Sequence, residues 1–135
     1  MTRAPLVALL VAAAASPGLA ESVVAPDAFE AMSVGRTLHF TLDGQPFGSE
    51  QFFPGRRTLW RYAEEGCQRG VWRAEGAAIC FAYEGMEGAI CWRFLDTGAG
   101  HAAALVEGGA ETGFRLKLDH IDAAPLDCPG PEVGS

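Results

Sequence analysis

The chain has 135 residues and carries 10 Lys and Arg against 17 Asp and Glu, for a formal net charge of -7. That acidity argues against nucleic acid and against an anionic membrane surface as partners, because phosphate recognition wants a basic face. The length holds one modest core and leaves no room for a second domain.

Residues 1-20, MTRAPLVALLVAAAASPGLA, read as a signal peptide: Arg3 precedes an apolar run, Pro17-Gly18 breaks any helix, and small residues lead to a cut after Ala20. The apolar run is shorter than the ~20 residues of a membrane span, so no span is expected once the leader is removed. Residues 21-135 are then a single periplasmic or secreted domain, delivered to an oxidising compartment. The removed segment holds Arg3 and no acid, so the net charge moves from -7 to -8.

Pro26 to Gly35 predicts a helix of about two turns, with Asp27 as its cap, Glu30 three residues on, and Gly35 at its end. Phe29 and Met32 share its inner face, and so short a helix must pack on something. From Arg36 the period changes to alternation, with Leu38, Phe40 and Leu42 on one side and Thr37, His39 and Thr41 on the other. Asp43-Gly44 follows as a turn. Further strands are expected at Phe47 to Phe53, Arg56 to Tyr62, Gln68 to Arg73, Ala78 to Glu84, Ala89 to Leu95, His101 to Glu107 and Phe114 to Ile121, with glycine in the intervening loops. The alanine-rich His101 to Val106 segment is also compatible with a helix. Short strands at this spacing predict a mainly β domain, an antiparallel meander closing into a small barrel or a strongly curved sheet. The proline-rich tail from Pro125 cannot join it, since proline lacks a backbone donor and fixes φ.

Side-chain parity across the middle strands sorts the chemistry. Trp60, Tyr62, Trp72, Ile79, Phe81, Tyr83, Ile90, Trp92 and Phe94 fall on one face. Each ring buries roughly 150 to 250 Å², enough together for a core, while an eight-stranded barrel can instead enclose one small ligand among them. The opposite face takes Arg57, Arg61, Arg69, Arg73 and Arg93 with Leu59 and Val71 between, a docking strip for an acidic partner, because planar guanidinium groups bind carboxylates two bonds at a time.

Four cysteines in an exported chain predict two disulfides. No Cys-x-x-Cys pair is present and the histidines lie far from the cysteines in sequence, so neither thiol redox chemistry nor a zinc site is expected, and no cofactor is implied. Three pairings are open to four cysteines. A hairpin turn near Gly85 would set Cys80 opposite Cys91 on one sheet face, leaving Cys67 to Cys128. No Gly-x-Ser-x-Gly elbow occurs, and Asp119-His120, adjacent in a strand, should point to opposite faces and form no dyad. Glu50, Glu84 and Glu87 are the acids nearest the aromatic strands, and no catalytic residue is assigned.

The motifs SEQFFPGRRTLWRY, GCQRGVW, ICFAYEG, CWRF and LDCPGPEVG resemble those of a family of short exported bacterial proteins of unknown function. The resemblance implies the same order of turns, tryptophans and cysteines over most of the domain, and no activity. The sequence therefore supports a non-catalytic binding module of the cell envelope. Its first expected partner is an envelope protein on the arginine strip; the alternative is a small apolar ligand among Trp60, Trp72 and Trp92, and a hydrolase-type enzyme ranks third.

Overall fold

The alternation that begins at Thr37 becomes a closed eight-stranded antiparallel barrel in the computed structural model, which describes residues 1-14 and 20-128. The predicted Pro17-Gly18 break and the closing Pro129-Gly130-Pro131 lie outside those residues. Residues 1-14 form no helix or strand, and no helix among the described residues is long and apolar enough to cross a membrane.

The elements are β1 (Ser22–Val23), α1 (Pro26–Ser33), β2 (Thr37–Leu42), β3 (Gln45–Phe53), β4 (Arg57–Tyr62), β5 (Cys67–Glu75), β6 (Ala78–Tyr83), β7 (Ile90–Asp96), β8 (His101–Glu107) and β9 (Ala110–Asp122). Each strand from β2 to β9 pairs with the next, and β9 returns to β2, so the barrel strands have no open edge to template aggregation. The alanine-rich segment is strand β8, paired on both sides, and the helical option there is not taken. The two-residue β1, which the sequence did not announce, adds to β7 at Leu95 and Asp96, beyond the point where β6 pairing ends.

Helix α1 starts differently from expectation. Ala25 is its N-cap, no side chain caps it, and Pro26 opens the first turn with Asp27 inside it. Proline suits that position, since its missing N–H would find no helical partner there. Gly35 ends the helix at φ 75°, as its placement predicted. Phe29 is 2% exposed and meets Phe52, Trp72 and Phe94 edge-on with ring centroids 5.0 to 5.5 Å apart. The helix thus plugs one end of the barrel. Outside it, Arg56 on the β3–β4 turn pairs with Glu30 at 3.1 Å and lies 4.4 Å over the Trp72 ring, tying plug to wall.

Both disulfides form as the hairpin argument orders them: Cys80–Cys91 between directly opposed residues of β6 and β7, and Cys67–Cys128 across a separation of 61 residues. The second holds the tail as a strap across the outside of β2 to β4. Along the strap Thr37 donates to Ala124 O at 2.7 Å and the Leu126 N–H donates to Gln51 Oε1 at 3.0 Å. Two intact disulfides and no free cysteine fit an oxidising compartment.

Candidate functional site

The ring face turns inward as parity requires, but the rings leave part of the space they enclose unfilled. At the α1 end Phe29, Phe52, Trp72, Phe81 and Phe94 pack into one cluster. A cavity of about 240 Å³ runs from Phe29, Phe52 and Phe94 of this cluster to Phe47, Met86 and Phe114, lined between them mostly by Phe40, Trp60, Tyr62, Phe81, Tyr83, Trp92 and aliphatic side chains. Its rim is wet and apolar, with Met86 44% and Phe114 36% exposed.

Three local features keep the cavity open. Gly48 and Gly70 leave bare backbone against which large rings lie flat: a Cβ on Gly48 would run into the Trp60 ring, and one on Gly70 would come 2.7 Å from Tyr83 Cδ1. Ala103, 6% exposed on β8, presents a methyl group where a long side chain would fill the lumen. A register shift in the β2–β3 pairing inserts Phe47 as an extra residue between Pro46, opposite Thr41, and Gly48, opposite Phe40. Such a bulge re-aims a side chain, and Phe47 joins the rim against Tyr62 and Phe114.

One acid lines this apolar space among the described residues. Glu50 is 2% exposed, and Tyr83 Oη donates to its Oε2 at 2.9 Å and lies 3.1 Å from Oε1. Burial pushes the Glu50 carboxyl up to about 8, against the opposing pull of the Thr58 and Tyr83 hydroxyls. Burial and the Glu50 charge both push the Tyr83 phenol up as well. Thr58 Oγ1 is buried and, despite its nearness to the carboxyl, meets no partner at hydrogen-bond geometry. The cavity therefore presents the Glu50 carboxyl and the Tyr83 phenol, with the Tyr62 phenol and the Gln68 amide as the other polar groups of a mainly apolar lining. Ligand sites in general combine a hydrophobic wall with a few convergent polar groups in this way. Alternation could have found Glu50, which falls between Gly48 and Phe52 on the inward parity of β3; its contact with Tyr83, 33 residues away, had no sequence signal.

Of the aromatic residues singled out from sequence, Trp60 and Trp92 line the cavity, whereas Trp72 belongs to the packed end under α1. Glu84 and Glu87 are exposed and stand outside the cavity. The five arginines all leave the barrel on its outer face. Arg73 pairs with Glu75 at 2.6 Å, and Arg57, Arg61 and Arg93 donate to the carbonyls of Pro54, Glu65 and Gly109.

The expectation for Asp119-His120 is overturned. A register shift between β2 and β9 pairs His39 with His120 and Phe40 with Leu118, leaving Asp119 as an extra residue. The bulge cancels the alternation, and Asp119 Oδ2 lies 2.7 Å from His120 Nδ1. Compared with known proteins, this chain matches no family model, no curated protein and no solved structure.

Proposed function

We propose that the protein is a non-catalytic, periplasmic or secreted binder of a small apolar ligand that carries one polar group. The observation that carries this reading is the cavity of about 240 Å³ inside a closed barrel, mainly apolar, with Glu50 and Tyr83 joined by a hydrogen bond within its lining and the exposed Met86 and Phe114 at its rim. A cavity of about 150 Å³ is enough for benzene, so this one suits an enclosed body about one and a half times that size, with room for a longer tail to leave through the rim. The polar group would meet the Glu50 carboxyl and Tyr83 hydroxyl, which fix orientation while the rings supply affinity. The net acidity of the whole chain does not oppose this, because burial favours the protonated form of the acid inside.

The test is titration of the oxidised protein with a naphthylamine probe, read by quenching of its tryptophans, two of which line the cavity. One-to-one saturation is expected, with at least a tenfold loss of affinity in Ala103→Phe and in Leu105→Trp, both at positions that line the cavity, while circular dichroism stays that of the parent. A parent protein that takes up no probe, or filled variants that bind it equally well, would overturn the reading. A second reading, docking of an acidic envelope protein on the outer face, draws on Val71, 54% exposed between the flanking Arg57 and Arg69 of the neighbouring strand positions.

A further inference from the structure

Outside the barrel, at the junction of β2 and β9, three side chains converge. His39 Nε2 lies 3.0 Å from Asp122 Oδ2, and His120 Nε2 lies 3.6 Å from the same oxygen. The two imidazoles stack with centroids 4.1 Å apart and planes 12° from parallel, and both Nε2 atoms lie near the one Asp122 oxygen. All three donor atoms fall within 4.8 Å of one another.

Each of the three is also held from behind. His39 Nδ1 is 2.7 Å from Ser49 Oγ, and His120 Nδ1 is 2.7 Å from Asp119 Oδ2. Asp122 uses its other oxygen, Oδ1, to accept the Ala124 N–H at 3.1 Å. Metal-binding histidines carry this kind of support, a hydrogen bond at the remote nitrogen that fixes tautomer and ring angle.

The tautomer argument is the sharper one. A carboxylate only accepts, so the contact with Asp119 places a proton on His120 Nδ1. In the neutral ring Nε2 then offers a lone pair, and that lone pair faces another acceptor, Asp122 Oδ2. The same rule puts a proton on His39 Nε2, 3.0 Å from Asp122 Oδ2, and a metal ion taken up there would displace it to Nδ1, where Ser49 Oγ accepts.

We propose that His39, His120 and Asp122 form a site for one zinc-type divalent ion. Two imidazole nitrogens and one carboxylate oxygen are borderline donors, suited to zinc and its transition-metal neighbours rather than to magnesium or calcium. Three protein ligands leave one position of a tetrahedron for water or another small ligand. His39 and His120 also line a groove of about 400 Å³ between the barrel wall and the C-terminal strap, with Arg61 and Pro125 on its walls. The site exists only because the Asp119 bulge turns His120 outward beside its neighbour and the strap brings the Ala124 N–H behind Asp122.

Calorimetric titration of tag-free, chelator-treated, oxidised full chain with zinc chloride tests it, with magnesium chloride as the hard-cation comparison. One zinc per chain is expected, and no stoichiometric magnesium. His120→Phe keeps a ring to stack on His39, and Asp122→Asn keeps an oxygen for the Ala124 N–H; both should lose at least tenfold in zinc affinity. His101→Gln, whose histidine stacks on Phe94 away from the cluster, should bind as the parent does. No stoichiometric zinc in the parent, or parental affinity in both ligand variants, overturns the proposal. Should a variant misfold, nitrogen NMR of the parent decides: zinc must shift the Nε2 signals of both His39 and His120, and shifts confined to His101 or to carboxylates elsewhere overturn it.

Discussion

Glu50 shows what one residue's placement does to the whole stability curve. In the unfolded chain its carboxyl ionises near the ordinary 4.5, and burial in the barrel pushes it up to about 8. Between those values the folded protein holds a proton that the unfolded chain has released, so stability is full below 4.5 and falls as pH rises toward 8. Over the whole interval the contribution is at most about 5 kcal/mol, since every tenfold difference in proton affinity between the two states is worth about 1.4 kcal/mol. Glu50→Gln keeps the shape and removes the titration. Urea midpoints measured from about pH 5 to about pH 8.5 should drop for the parent, and this component of the drop should vanish in the variant. A slope that survives the substitution would assign it to another group.

At the scale of elements, the β5–β6 pair shows how a strand can hold a cavity open. Gly70 sits opposite Tyr83 across the ladder, and the ring lies over the bare Cα. In Gly70→Ala the added methyl would lie 2.7 Å from Tyr83 Cδ1 and 3.0 Å from the Ala82 carbonyl. The ladder fixes the carbonyl, so the ring must yield, swinging into the lumen and away from Glu50. Overpacking of this kind costs about 1 to 3 kcal/mol, and denaturant titration should report a loss in that range together with weaker uptake of the naphthylamine probe. Unchanged probe affinity would mean that the ring moves outward instead. The neighbouring Cys80–Cys91 bridge, closing a separation of 11 residues, contributes about 3 kcal/mol on the chain-entropy account.

The whole molecule is a barrel plugged at one end by α1, open at the other, and belted by the C-terminal strap. Its belt, closed by Cys67–Cys128, contributes about 4 kcal/mol on the same entropic account because the loop is longer. Inside and outside are chemically distinct, so the two binding readings can be separated by substitution. Arg57→Glu, Arg61→Glu and Arg73→Glu together alter the outer face without touching the cavity lining. The triple variant should fold and keep parental probe binding; capture of a partner from periplasmic extract should be lost if the outer strip docks an acidic protein. Capture that survives charge reversal would remove the strip from consideration.

Fold class, strand parity and disulfide pairing were legible in the sequence because each follows from short-range rules. Alternation at Ile79, Phe81 and Tyr83 assigns a face whatever the sheet does, and a turn between Cys80 and Cys91 sets two sulfurs opposite each other by local geometry alone. Where parity failed, a bulge was the cause: Asp119 adds one residue to β9, and a single extra residue reverses every inference from parity beyond it. The cavity, the Glu50–Tyr83 contact and the meeting of His39, His120 and Asp122 were decided only by the tertiary structure. They depend on barrel closure, which brings β9 back beside β2 and leaves an interior whose unfilled volume is set by all eight strands together, a quantity that no stretch of neighbouring residues encodes.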